Sequence, residues 1–476
     1  YLYNKTSNTS VSHNTIGIDD DINIYKTYDI SMVDVTKIKT LLNNKYSTDE
    51  KHNTNNFEND INIKYMIYSK TVLRNIIDTN SNKNNILFLD NGTSWDYNTI
   101  NEKSLRGTEN TIYQLSVELS KDDNNVLVLT KNGIKNQLNN KLSFDNINCI
   151  NTYTSNYDIF IHQGIPTINL ANFNNKLHLL YIQHDITVDC IRNTYNNLHK
   201  FDRYVSKYIF VSNWQKNRYI QYYGINADKC NVIQNAISPK RIDRPILIQR
   251  EPSIIFVSSP YRGLINIYSL VNVILQYIPN IKIKIFSSFN IENEKKNEPF
   301  TIETFNTIKL SNFDKYYQNV YKQLIQHKNI DYYGNVSQDI LFKHLSESMI
   351  LFYPCTFPET CCTSLLEAMT CRCFVVSSDL GALRETSNNM AYLYDPCIDV
   401  NNFNYSVDKA LTNPIKINQI SENYKKHFLE KTIELVQNYH KPDKQDYLDR
   451  QQRFITRDCM WSHKANYLTE IINNLK

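Results

Sequence analysis

Short apolar runs alternate with stretches of helical spacing along this chain, and the cycle occurs twice. The first cycle holds the runs Ile86–Leu89, Val126–Leu129, Tyr157–His162, Leu177–Gln183 and Tyr208–Val211. Between its first two runs, Thr108 begins a helical pattern that sets Ile112, Leu115 and Leu119 on one face. A strand that is apolar along its whole length is buried on both sides. Parallel strands joined by crossover helices produce such burial. The pattern predicts a doubly wound α/β domain over residues 86–240. The second cycle runs through strands at Ile254–Ser258, Ile281–Phe286, Ile330–Tyr333, Met349–Tyr353 and Phe374–Ser377. Helical patterns lie between them at Ile265–Tyr277, Ser337–Ser346 and Ser364–Met369. It predicts a second domain of the same class over 241–440. Asn235–Arg250 carries Pro239 and Pro245 and little apolar content, and reads as the interdomain linker. Asn290–Asn312 is polar and reads as an insertion or long loop. Residues 441–476, with Trp461 and a helical Tyr467–Leu475, are expected to pack back on the first domain. Residues 1–85 are Asn-rich and read as an N-terminal extension or small domain, with short periodic runs at Val33–Leu42 and Tyr65–Ile77 and a linker at Asn80–Asn85.

Composition narrows the function classes. A length of 476 residues allows two or three domains at roughly 100–200 residues each. The net charge of +4 is small, and its Lys and Arg are interspersed with Asp and Glu, so no basic block tracks a nucleic acid. Five of the 10 cysteines fall within Cys355–Cys373, without the paired spacing of a zinc site or a disulfide framework. They read as free thiols in a reducing compartment, which points to the cytoplasm. No stretch approaches the roughly 20 apolar residues of a membrane span, which leaves peripheral membrane contact open. Tyr1–Asp20 is polar and lacks the apolar core of a signal peptide. The chain begins at Tyr1 rather than Met, as a fragment or processed form would. The abundance of Asn, Ile, Lys and Tyr points to an AT-rich genome, such as that of a large DNA virus or certain protists.

The nine glycines are too scattered for a dinucleotide-binding fingerprint, a P-loop or a nucleophile elbow. Two doubly wound domains without those motifs leave the cleft between them as the expected site. The strongest chemical signal is Phe357-Pro358-Glu359-Thr360-Cys361-Cys362-Thr363-Ser364-Leu365-Leu366-Glu367-Ala368-Met369. Glu359 falls in the loop before a helix and Glu367 within it. Amides at the start of that helix can face an anion such as a diphosphate, and carboxylates can accept from paired sugar hydroxyls. Spacing alone also fits a helix with two solvent-exposed charges. Arg262 alone reads equally as a surface charge, and His184 as a satisfied polar residue at a strand end.

This segment resembles the E-x7-E region of retaining GT-B glycosyltransferases, specifically glycosyltransferase family 4. Tyr333-Gly334-Asn335-Val336-Ser337 is similar to that family's G-x-V-[ST] turn. Met349–Pro354 is similar to its Pro-terminated strand, and Cys373–Glu385 to its next strand and Gly-containing loop. The resemblance covers about 86–385. It implies that Glu367 binds the ribose hydroxyls of a nucleotide and that Glu359 lies near the transferred sugar. It further implies that the amides of Thr360, Cys361, Cys362 and Thr363 contact sugar and phosphate, with Gly334 and Val336 completing the donor site. Ser258–Leu264 is similar to the family's basic loop, with Arg262-Gly263 in place of the more usual Lys-Gly. Arg262 inherits the stabilisation of the leaving diphosphate, since these enzymes generally use no metal there, while Lys282 and Lys284 are not expected to substitute. Tyr181–Asp185 implies a sugar contact for His184, with His162 a weaker candidate of the same kind. Leu105–Glu109 is similar to the family's G-G-x-E loop, with Arg106 replacing one Gly, and implies phosphate contact by the Gly107 and Thr108 amides. Tyr208–Trp214 resembles the family's strand-to-helix step, and Val232–Ile237 its hinge entry. One departure stands out: the family usually has Gly where Cys362 stands, and a side chain there is expected to crowd the phosphate or alter sugar choice.

The implied protein has a GT-B fold, two Rossmann-like domains facing a central cleft, and no metal or bound cofactor. Its implied activity is a retaining, metal-independent transfer of a sugar from a UDP- or GDP-sugar to a hydroxyl of a glycan, lipid-linked or protein-linked acceptor. The alternatives are an NDP-sugar epimerase of the same fold and a non-catalytic nucleotide-sugar-binding or scaffold protein.

Overall fold

A computed structural model describes residues 83–476, save 91, 93–94, 96–104, 106, 167, 188–191, 193–194, 197, 239–248, 289–290, 292–297 and 401–419. Residues 1–82 of the expected N-terminal extension, both linker prolines and Arg106 lie outside the described residues, and Asn85, expected at the end of a linker, opens the first strand.

The first cycle forms β1 (Asn85–Asp90), β2 (Asn125–Thr130), β3 (Asn136–Asn139), β4 (Leu142–Asn146), β5 (Ile159–Gln163), β6 (Leu177–Ile182), β7 (Lys207–Phe210) and β8 (Cys230–Val232). They lie in one sheet, ordered β3-β4-β2-β1-β5-β6-β7-β8. Every pairing is parallel except the β3–β4 hairpin at the edge. The unbroken apolar run of β1 is explained by its two faces. Ile86 and Phe88 pack with Ile112, Leu115 and Leu119 of helix α1 (Gly107–Lys121). Leu87 and Leu89 pack on the other face with Leu127, Leu129 and Phe160.

The second cycle forms β9 (Ser253–Val257), β10 (Lys282–Phe286), β11 (Ile330–Tyr332), β12 (Ile350–Tyr353), β13 (Phe374–Ser378) and β14 (Tyr392–Tyr394). Their order is β11-β10-β9-β12-β13-β14, parallel throughout. Crossovers include α3 (Leu264–Tyr277), α4 (Gln338–Glu347) and α5 (Thr363–Thr370), while α2 (Asn213–Tyr223) belongs to the first domain. In both sheets the chain first winds one way and then the other. The direction reverses between β1 and β5 and between β9 and β12. Ligands of open α/β sheets bind beyond the carboxyl ends of the strands at such switch points.

Three expectations need correction. The polar insertion is not all loop: Ile302–Thr307 is a helix, closed by a reciprocal cap in which the Thr301 and Thr304 hydroxyls each accept from the other residue's amide. The end of the chain holds three helices, α6 (Glu422–Gln437), α7 (Pro442–Asp458) and α8 (Trp461–Asn473). Only the last crosses over: Trp461, Ala465, Leu468, Ile471 and Ile472 enter the first domain's core beside α1. Helix α7 stays on the second domain against α5. Finally, β3, β4, β8 and β14 are extra strands. The crossing at Ile237 runs beside the return crossing, with Ile237 N donating to Cys459 O at 2.7 Å and Trp461 N donating to Ile237 O at 3.2 Å.

Candidate donor site

The loops after β9 and β12 leave the second sheet at its switch point, and one glycine lets them touch. Gly263 has φ +107, and a Cβ there would lie 2.1 Å from the Pro354 carbonyl oxygen. That approach brings Arg262, on the Pro260–Arg262 turn, to Glu359. Arg262 Nη1 donates to Glu359 Oε1 at 2.8 Å. The hydroxyl of Tyr353, buried at the end of β12, donates to the same oxygen and lies 3.1 Å from Ser258 Oγ. The guanidinium lies over the rings of Phe357 (4.9 Å) and Tyr261 (5.3 Å), and its Nε donates to the Tyr261 hydroxyl at 3.2 Å. Burial opposes the Arg262 charge, but Glu359, Tyr261, Tyr353 and Cys355 together outweigh it, so the pKa rises and the guanidinium stays protonated. Burial likewise raises the Tyr353 pKa and keeps its hydroxyl a donor.

The backbone of Glu359 is fixed from behind. It forms a parallel bridge with Gly381, and Ala382 N donates to Glu359 O at 2.7 Å. Glu367 sits on α5 among Leu365, Leu366, Ala368 and Met369, all buried. Glu359 and Glu367 are only 4% and 8% exposed, so neither is a solvated helix charge. Cys362 precedes α5 with φ −77 and ψ 104. This extended conformation accommodates a side chain without strain, and the buried thiol packs into the second domain's core. A side chain at position 362 is thus tolerated by the backbone. Thr363 opens the helix. Cys361 packs against the first domain's core, and its carbonyl accepts from Asn235 Nδ2 at 3.1 Å. Thr360 Oγ1 donates to the Gln183 carbonyl at 2.8 Å.

Gln183 precedes His184, so the Thr360 bond docks the loop after β12 against the end of β6. The His184 carbonyl accepts from Gln215 Nε2 and from the Tyr219 hydroxyl on α2, both at 2.9 Å. Next to it, buried Asp185 pairs with Arg218 at 3.0 Å. Water reaches the His184 ring, yet protein atoms crowd it. That desolvation, with the Arg262 charge, lowers its pKa below the ordinary value. His162 does not share this setting, which corrects its candidacy. It is buried in the sheet with its Nε2 3.1 Å from His178 Nδ1, and burial drives its pKa down to about 3.

Gly107 is exposed at the first position of α1, with Thr108 half-buried beside it. The Thr111 hydroxyl lies 2.8 Å from the Gly107 carbonyl and 3.0 Å from Asn235 Oδ1, so Asn235 links this turn to Cys361. Gly334 and Val336 follow edge strand β11, which β10 separates from β9. Lys284 pairs with Glu347 at 2.8 Å, and exposed Lys282 opens β10 at the end away from the site. The structure therefore gathers Arg262, Glu359, Thr360, Cys361, Cys362, Thr363 and His184, with Glu367 on the adjoining helix and Gly107 one linkage away. Sequence reasoning missed Tyr353, Gln183 and Asn235. Of these only Tyr353, a hydroxyl at a strand end before the loop, carries a local signal. Among the described residues, no three His, Cys, Asp or Glu side chains converge as a metal site would, and no helix is long and apolar enough to cross a membrane. Nine cysteines there are free thiols.

Solved structures match the fold of this chain. HepE from Anabaena, in complex with UDP-glucose, matches with a TM-score of 0.54 at 12% identity, covering 82% of this chain and 99% of its own. The UDP-forming α,α-trehalose-phosphate synthase of Burkholderia xenovorans matches at 0.53 and 8% identity, with the same coverage. Sucrose-phosphate synthase from Thermosynechococcus elongatus matches at 0.51 and 13%, again over 82% and 99%. The fold is GT-B. Residues 310–427 of this GT-B chain also match the family described as Glycosyl transferases group 1. That span holds Glu359 and Glu367 and stops short of Arg262 and the first domain. No curated protein matches the chain.

Proposed function

We propose that the protein is a retaining, metal-independent glycosyltransferase of the family 4 type, using a nucleotide-diphosphate sugar. The observation that carries the reading is the Arg262–Glu359 pair, set at the switch point before α5 and faced by His184. In this reading the nucleotide sits on the second domain, with its ribose on Glu367. A guanidinium has five N–H donors, so Arg262 can hold Glu359 and a phosphate oxygen together. The amides of Thr360 to Thr363 and the turns at Gly107–Thr108 and Gly334–Val336 add contacts to phosphate and nucleotide. His184 and Glu359 flank the sugar. The bond from C1 to the phosphate oxygen breaks while the acceptor oxygen bonds C1 from the same face. The acceptor's proton passes to the departing phosphate, and Arg262 with the helix amides stabilises the charge that develops there. Closure of the domains excludes water from the donor. UDP-sugars are the first donors to try, because the HepE complex contains UDP-glucose. The buried thiols fit a reducing cytoplasm, and the composition fits the AT-rich genome of a large DNA virus.

The test is transfer from UDP-glucose and other NDP-sugars to a panel of glycan, lipid-linked and peptide-linked acceptors, with and without EDTA, followed by NMR of the product anomer. A product with the donor's anomeric configuration, formed equally in EDTA, supports the reading. An inverted anomer overturns retention, loss of turnover in EDTA overturns metal independence, and an epimerised NDP-sugar without transfer favours the epimerase.

A further inference from the structure

The first turn of a helix exposes amides that no residue of that helix can satisfy. In α2, Ser212 Oγ accepts from Gln215 N at 3.2 Å, which settles one of them from within the first domain. The next two find their acceptor in the other domain. Glu385 takes Asn213 N on Oε1 at 2.8 Å and Trp214 N on Oε2 at 3.1 Å. Its Oε1 also accepts from Asn213 Nδ2 at 2.9 Å and Gln234 Nε2 at 3.3 Å. A carboxylate at a helix N-terminus is favoured by charge as well as geometry. This one is supplied across the domain boundary, so the cap is complete only when the two domains are together.

Both ends of this contact lead into the site. On one side, α2 holds the His184 carbonyl through Gln215 and Tyr219. On the other, Glu385 rides on the turn Leu383–Thr386, directly after Gly381 and Ala382, whose backbone is bonded to Glu359. We infer that Glu385 is the closure latch of this protein. It is a positioning residue that docks on the start of α2 and sets His184 at working distance from the Glu359–Arg262 pair. The inference rests on the glycosyltransferase reading for its catalytic consequence and on the hydrogen bonds alone for its structural one.

The test compares the full chain with Glu385→Ala and Glu385→Gln. Small-angle scattering reads closure, hydrogen exchange reads the Asn213 and Trp214 amides, and steady-state kinetics with UDP-glucose, beside equilibrium donor binding, reads positioning. Glu385→Ala should raise the radius of gyration, speed exchange of the two amides at least tenfold and lower kcat at least tenfold. Donor affinity should fall by much less than kcat, because in that reading most donor contacts lie on the second domain. Glu385→Gln, which keeps one accepting oxygen, should fall between. A kcat equal to wild type, or a donor affinity that falls in step with kcat, would overturn the positioning role. If the wild type turns over no donor, the transferase reading fails while the latch is still judged. Unchanged scattering and exchange in Glu385→Ala then overturn it, and an opened molecule with faster exchange sustains it.

Discussion

Arg262 and Glu359 hold each other at 2.8 Å, with the Tyr353 hydroxyl on the same carboxylate oxygen. Glu359 is buried and Arg262 half-buried, so removing Arg262 is costly because it leaves the buried carboxylate with an unbalanced charge. The pair therefore fixes both side chains at the switch point of the second sheet. His184 is a titratable group near enough to feel the Arg262 charge. Desolvation and the Arg262 charge both lower its pKa, so the ring is neutral at neutral pH. If the neutral ring serves the sugar, kcat/KM should be flat from pH 7 to 8. It should then fall about tenfold per pH unit once the pH drops through a pKa below the ordinary ~6.5. A pH–rate profile checks this, and His184→Ala should remove that limb of the profile at a lower plateau. Activity that rises on acidification would show instead that the protonated ring is the working form.

At the scale of elements, the loops do what the strands cannot. Gly263 passes the Pro354 carbonyl and Gly381 passes the backbone of Glu359, each with positive φ and no room for a Cβ. Gly263→Ala should cost on the order of 1–3 kcal/mol from backbone strain alone, with more from the clash. It should move Arg262 off Glu359, so thermal denaturation should show a lower Tm and turnover should drop together with it. An unchanged Tm and rate would mean that the two loops do not need this approach. The elements themselves were largely legible. Strands buried on both faces leave unbroken apolar runs, and Ile86–Leu89, Val126–Leu129 and Phe374–Ser377 sit within β1, β2 and β13. Strands β3 and β4 were not legible, because an edge hairpin reading Asn-Gln-Leu-Asn and Leu-Ser-Phe-Asp-Asn has no apolar run. Three-residue β8 and β14 are too short to carry any period. Helix Ile302–Thr307 was hidden because a Thr301–Thr304 cap, not an apolar stripe, defines it.

At the scale of the molecule, two polypeptide crossings run side by side at Ile237 and Cys459–Trp461. The cleft is spanned further along by Thr360–Gln183, Asn235–Cys361 and Glu385 on α2. None of these partners could be paired from the sequence, since each contact joins residues more than a hundred positions apart and no periodicity connects them. Glu359 and Glu367 were readable as a spaced pair, whereas their burial, and the ion pair that one of them makes, depend on the fold. His162 misled for the complementary reason: a His near a strand end looks the same whether it faces the cleft or, as here, a second buried His.

The central claim is that Arg262 and Glu367 hold and activate a nucleotide-sugar. The most direct measurement is release of free nucleotide from UDP-, GDP- and other NDP-sugars by the wild type beside Arg262→Ala and Glu367→Ala. One donor should be hydrolysed by the wild type. Arg262→Ala should lose roughly 10²–10³ in kcat, the scale seen when a charge-stabilising donor is removed, and Glu367→Ala should lose donor binding. Wild-type rates in both variants, or no binding of any donor by the wild type, would contradict the account and bring a binding or scaffold role forward.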